Sequence, residues 1–136
     1  MTQTENKLAI IELMHKYILS IDSHDNQLFA DNFTEKGIYV SPWGTAEGKQ
    51  AIIGTIDYWH SSGITAGKRH FVGSILIIEL QDESAKVEST YWVADAQDTP
   101  GIVATGFYED TLQKENGEWK IAKRIQTVDP SFKMNS

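Results

Sequence analysis

The second half of this chain constrains its fold more than any other feature. From His70 onward four β-runs follow one another, at about 70–81, 85–96, 102–114 and 118–128, rich in Val, Ile, Thr, Tyr and Trp. Turn chemistry separates them: Asp82-Glu83-Ser84, then Asp98-Thr99-Pro100-Gly101, then Asn116-Gly117. The last is a strong hairpin signal, because both central residues of a type I′ turn need positive φ. Long runs joined by short turns predict an antiparallel meander.

Ahead of the meander the pattern is helical. Leu8, Ile11, Met14, Ile18 and Ile21 recur every three or four positions and predict an amphipathic helix from about Thr4 to Ser20. Thr4 can cap it, and Glu5 sits in the first turn, where the helix dipole favours negative charge. Asp22 to Asn26 is a polar break. Asp25 or Asn26 can then cap a second short helix with Leu28, Phe29 and Phe33 on its apolar face. Gly37 starts a short strand, Ile38 to Trp43, closed by Pro42 and Gly44. A third helix runs from Lys49 to about Ser61 and carries Ile52, Ile53, Ile56 and Trp59. The tail after Pro130 is polar and reads as loose. Helices first and a long curled sheet afterwards make an α+β layout. A strongly curved sheet closed by a helix leaves a concave interior, where small ligands sit.

Bulk properties bound the function. The 136 residues fit one domain, with a core spanning about 5–128, and a 40% apolar fraction supports a proper core without disulfides or metals. The absence of cysteine removes thiol catalysis, thiolate metal sites and a disulfide framework, and is compatible with a reducing cytoplasm. The N-terminal apolar residues are spaced and interrupted by Glu12, His15 and Lys16, unlike a signal peptide, and no run reaches the ~20 apolar residues of a membrane span. The chain is therefore expected in the cytoplasm, away from membranes. With 12 basic and 19 acidic residues the net charge is −7. The short basic clusters Lys68-Arg69 and Lys120…Lys123-Arg124 make no nucleic-acid patch.

Several motifs occur together. Tyr17, Asp22 and Asp25 lie at the end of helix one, Phe33 lies in helix two, and Gly48 precedes Lys49-Gln50-Ala51-Ile52. Arg69-His70-Phe71 opens the first long strand, Gly106-Phe107-Tyr108-Glu109-Asp110 lies on the third, and Trp119 to Arg124 on the last. In these pieces the chain resembles the SnoaL-like branch of the NTF2-like superfamily over about residues 5–128. That group includes ketosteroid isomerases, scytalone dehydratase, bile-acid dehydratase, polyketide cyclases and limonene epoxide hydrolase. The resemblance implies a cystatin-like (NTF2-like) cone, with N-terminal helices on a mostly antiparallel curved sheet enclosing a pocket. In dehydratase members a Tyr and an Asp near the end of helix one, and a His opening the long strand, line the cavity. By that resemblance they are Tyr17, Asp22 and His70 here. A further carboxylate or His from the middle strands of some members has no counterpart in Ser89-Thr90-Tyr91-Trp92-Val93.

Read residue by residue, His70 shares a strand face with Val72, Ser74, Leu76 and Ile78, so it is either a pocket imidazole or a strand-start histidine bonded to a loop. Asp22 continues the Met14–Ile18 line at i+4; it is a turn residue or, facing inward, a carboxylate in need of a partner such as His70. Tyr17 stands five positions before Asp22, roughly 140° around an ideal helix, so the two converge only if the helix ends near Ser20. Trp43, Trp59, Val72, Tyr91, Trp92 and Tyr108 are the candidate substrate-binding residues, and these aromatics and Phe71 are otherwise core or interface residues. Trp119 and Ile121 read as core, and Arg124 as a partner for Asp110 or Glu109 across the hairpin, ahead of a substrate-anion role. Asp22, His24, Asp25 and Asp31 are not read as a metal site.

These assignments point to a dehydratase or isomerase of a small hydrophobic cyclic or carbonyl compound. His70 is the base and acid, Asp22 its orienting partner, and Tyr17 the donor to a developing oxyanion. Proton transfers need no cofactor. The alternative is a non-catalytic hydrophobic-ligand-binding or assembly module of the same fold. A homo-oligomer, dimer or trimer, is expected through the outer face of the sheet.

Overall fold

A computed structural model of the chain describes residues 1–132. Helix α1 covers Gln3–Asp22, α2 Asn26–Asp31 and α3 Lys49–Ser61. The strands are β1 Phe33–Ser41, β2 Gly44–Glu47, β3 Lys68–Leu80, β4 Ser84–Asp95, β5 Gly101–Glu115 and β6 Glu118–Val128, and a 3₁₀ turn, Pro130–Phe132, follows. The last four strands match the predicted runs to within two residues. Phe132 packs on the core, so the predicted loose tail is anchored at its start; residues 133–136 lie outside the described residues.

One six-stranded, curved, unclosed sheet has the order β2-β1-β6-β5-β4-β3. Its neighbours are antiparallel except for β1 and β6, which run parallel. Helix α1 packs on β3 and β6, α3 on β1 and β2, and α2 joins the other two helices. The α+β cystatin-like cone is thus what the chain forms.

Local details correct the sequence expectations and have physical causes. The cap of α1 is Thr2, not Thr4: Glu5 N donates to Thr2 Oγ1 at 3.1 Å, and Thr2 N donates to Glu5 Oε1 at 3.1 Å, a reciprocal capping box. The buried stripe is Ile10, Leu13, Met14, Tyr17, Ile18 and Ile21, while Leu8 is 61% exposed and Ile11 also faces out. Turning α1 this way seats the large Tyr17 ring in the core and leaves two aliphatic side chains in water. Asp25 caps α2, accepting from Leu28 N at 3.0 Å. Phe33 opens β1 instead of extending α2, because Ile121 N captures the Asn32 carbonyl at 2.8 Å and draws the chain into the sheet. Strand β1 runs on to Ser41 and turns back through Pro42-Trp43 into the unforeseen β2. Asn116 and Gly117 both have positive φ (54° and 79°), as a type I′ turn demands.

Two irregularities decide which side chains face the concave side. In β3, Ser74 has φ 47° and the pairing to β4 slips between Gly73 and Leu76. The alternation therefore reverses: Ile75 and Ile77 pack on the core, while Leu76 is 62% exposed and Ile78 also points out. In β6 an extra residue, Ala122, lies between Ile121, opposite Leu112, and Lys123, opposite Thr111. Trp119 and Ile121 face inward before it, and Arg124 after it. Among the described residues no helix is long and apolar enough to cross a membrane.

Candidate functional site

The concave face and the helices enclose a cavity of about 160 Å³, open at its mouth. Tyr17 and Ile21 of α1 form one wall and Trp59 of α3 another, with Trp43 beyond β1. The sheet contributes Tyr39, Tyr91, Val93, Tyr108 and Gln126, and Lys68 and His70 come from the start of β3.

Asp22 is the last residue of α1, and His70 is the third of β3. His70 Nδ1 is 2.8 Å from Asp22 Oδ1. The His70 backbone N–H also donates to both carboxylate oxygens, at 3.1 Å each. An ionised carboxylate only accepts, so Nδ1 carries the proton and Nε2 is the nitrogen with a free lone pair. His70 lines the cavity and Asp22 stands behind it, which makes Nε2 the ring nitrogen available to a ligand. Both side chains are largely withdrawn from water, at 14% and 21% exposure.

Tyr17 is fully buried, and its hydroxyl has no hydrogen-bond partner among the described residues. Burial pushes its phenol above the ordinary value, with the Arg124 cation opposing that effect, so it is a proton donor at neutral pH. Helix α1 continues through Asp22, and no hydrogen bond joins Tyr17 to the dyad; the phenol and the imidazole share the cavity without bonding each other. Arg124 lies between the rings of Tyr17 and Tyr108, 4.1 and 3.9 Å from their centroids. It pairs with Asp110, directly opposite on β5, through two bonds of 2.7 Å.

Tyr39, Gln126 and Tyr91 make a polar chain along the sheet wall. The Tyr39 hydroxyl donates to Gln126 Oε1, Gln126 Nε2 donates to the Tyr91 hydroxyl at 3.1 Å, and that hydroxyl donates to the Thr127 carbonyl at 3.3 Å. Burial pushes Tyr91 up to about 12 and Tyr39 well above its usual range. Gly106 makes room for this arrangement, since a Cβ there would lie 2.0 Å from the Thr127 carbonyl oxygen and 2.6 Å from the Tyr91 hydroxyl. Tyr39, Gln126, Lys68 and Thr65 were not legible as site residues. Gln126 inherits its direction from the extra residue at Ala122, which no alternation pattern announces.

Of the expected substrate-binding residues, Trp43, Trp59, Tyr91 and Tyr108 line the cavity. Trp92 does not: it stands on the outer face, 36% exposed, stacked on Phe71 at 5.1 Å between centroids. Adjacent strand residues point to opposite faces, so Tyr91 inside forces Trp92 outside. Val72 packs into the core on the inner face but stops short of the cavity wall, where its cross-strand partner Tyr91 stands. Among the described residues no group of three His, Cys, Asp or Glu side chains is arranged to hold a metal.

Comparison with known proteins agrees with the fold. A cystatin-fold protein of unknown function from Nostoc punctiforme superposes with a TM-score of 0.84 at 28% identity, over 96% of each chain. A function-unknown protein from Mycobacterium tuberculosis gives 0.85 at 28% identity, over 93% of this chain and 73% of that one. A putative scytalone dehydratase from Novosphingobium aromaticivorans gives 0.78 at 25% identity, over 93% and 85%. No curated protein matches the sequence. The SnoaL-like domain family matches residues 2–125, from the cap of α1 into the last strand. A helix-end carboxylate tied to a strand-opening imidazole, on the wall of an aromatic cavity inside a cystatin-like cone, is therefore found in a chain that belongs to the SnoaL-like family.

Proposed function

We propose that the cavity takes a small, largely apolar cyclic or carbonyl compound and that His70 moves a proton on it. The observation that carries this reading is the 2.8 Å contact of His70 Nδ1 with Asp22, which leaves Nε2 as the base on the wall of an apolar cavity. The reaction is an elimination of water or a proton shift beside a carbonyl. In the elimination, Nε2 takes a proton from carbon, the C–O bond breaks as C=C forms, and the same proton returns to the departing hydroxide. Tyr17 donates its hydrogen bond to the oxygen on which charge develops. Similarity to a putative scytalone dehydratase supports the elimination. The Phe71–Trp92 stack, with Phe107 on the same outer face, supports a homo-oligomer formed through that face.

A binding-only role is the second reading. It is favoured by the two bonds from the His70 backbone N–H to Asp22, which also suit a purely structural tie of α1 to β3. Panels of steroid, polyketide and terpenoid alcohols and ketones separate the two. On a substrate the wild type turns over, His70→Ala and Asp22→Asn should bind normally and lose roughly 10²-fold or more in kcat. No wild-type turnover on any panel, with variants that lose only thermal stability, leaves the binding role.

A further inference from the structure

The cavity wall is largely aromatic and aliphatic; of its polar side chains, His70 and Gln126 are tied to Asp22, Tyr39 and Tyr91, and one further polar place is not so tied. Thr65, in the turn between α3 and β3, is 7% exposed, and its buried Oγ1 has no hydrogen-bond partner among the described residues. Lys68 N donates to the Thr65 carbonyl at 3.2 Å, so the two residues belong to one tight turn, and both side chains line the cavity. Lys68 Nζ touches only the Ala66 carbonyl of that turn, at 3.4 Å, and forms no ion pair within 4.0 Å among the described residues.

The obvious counter-ion is Asp95, its cross-strand neighbour. That carboxylate is already occupied: it accepts from the backbone N–H groups of Gln97, Asp98 and Thr99 at 2.9, 3.0 and 3.2 Å. These bonds hold its pKa down at about 2, and Lys68 contributes least to that effect. In a chain of net charge −7, a cation without an ion-pair partner and an orphaned hydroxyl in the same turn make a local excess of donors. The cost of leaving Thr65 Oγ1 unpaired is recovered when a ligand oxygen binds there.

We infer that the ligand carries a carboxylate, held by Lys68 Nζ and Thr65 Oγ1–H, on an apolar ring body that fills the aromatic cavity. This rests on reading the cavity as the ligand site. One ammonium and one hydroxyl match the single charge and two oxygens of a carboxylate; a phosphate monoester would bring more charge than they neutralise. A simple phenol, with a pKa of about 10, would arrive uncharged. Lys68 and His70 are two positions apart on one strand face, about 6.6 Å between Cα atoms. The carboxylate therefore anchors the end of the substrate nearest the imidazole.

The test uses 1-naphthoate and its neutral analogue 1-naphthamide, titrated into the intact protein by calorimetry near neutral pH. Naphthoate should bind about tenfold more tightly, as one charge-assisted hydrogen bond warrants. Lys68→Met should bring naphthoate to the level of naphthamide, Lys68→Arg should retain the preference, and Thr65→Val should weaken naphthoate more than naphthamide, because a hydrogen bond to a charged acceptor is the stronger one. Equal binding of both compounds, or a Lys68→Met variant that keeps the preference, overturns the carboxylate while leaving the cavity as a binding site. Failure of both compounds to bind overturns the inference together with the cavity reading beneath it. Because the measurement is of binding, a catalytically silent His70 does not affect it.

Discussion

Arg124 is the largest side chain fully withdrawn from water, and its two bonds to Asp110 hold it between two tyrosine rings. Burial alone would depress its pKa, and the Asp110 charge and hydrogen bonds outweigh that, so the guanidinium stays ionised. Such a pair adds little over apolar residues of equal volume, but breaking one half strands a charge in the core. Asp110→Asn should therefore lower unfolding stability by about 3–5 kcal/mol in urea titrations, and Arg124→Met with Asp110→Leu should recover most of the loss. A mild single variant would show that water reaches the guanidinium. The partnership was legible in the sequence only as Asp110 or Glu109: the register of the Asn116-Gly117 turn would set Arg124 opposite Glu109, and the extra residue at Ala122 moves it to Asp110. Asp22 and His70 were legible as chemical types on inward-facing lines. Trp92 was misread because a Tyr-Trp pair on a strand does not announce which ring faces in.

At the scale of elements, alternation fails where a strand gains a residue. The slip at Ser74 turns Leu76 and Ile78 outward, and Ala122 turns Arg124 and Gln126 inward. Both are backbone events set by tertiary pairing, so side-chain period alone could not place Gln126 in the cavity. The helices meet at another feature the sequence left unread. His24, at φ 57° in the α1–α2 turn, stacks on His60 of α3, with ring centroids 4.0 Å apart. His60 Nε2 bonds the Ile21 carbonyl at 3.1 Å. Burial holds the His60 pKa below its ordinary 6.5, His24 adds to this, Asp57 opposes it and His70 contributes weakly. The unfolded chain, with His60 at its ordinary value, binds protons that the folded chain resists. This group thus contributes no pH dependence well above 6.5, and stability falls as pH drops from 6.5 towards the depressed folded value. Urea midpoints between about pH 7.5 and 5.5 should decline less for His60→Gln than for the wild type. Parallel declines would locate the sensitivity elsewhere.

For the whole molecule, the same alternation that builds the cavity decorates the outside. Tyr91 faces the ligand space while Trp92 stacks on Phe71 in the open, and Phe107, opposite Thr90, extends that aromatic row onto β5. Each of the three rings is more than a third exposed. Aromatic side chains gathered on an uncovered sheet face have the composition of an interface centre, not of a solvated surface. If that face joins copies of the chain, a charge at its middle must be desolvated on association, which costs several kcal/mol per ion. Trp92→Lys should then convert the assembly to a monomer in light scattering without disturbing the cavity, because Trp92 and the lining residues occupy opposite faces. Retained naphthoate binding in that monomer would show each cavity to be complete within one chain. A wild type that is already monomeric at about 100 μM, well above the Kd expected of a stable dimer, would leave the aromatic row without a partner of its own kind.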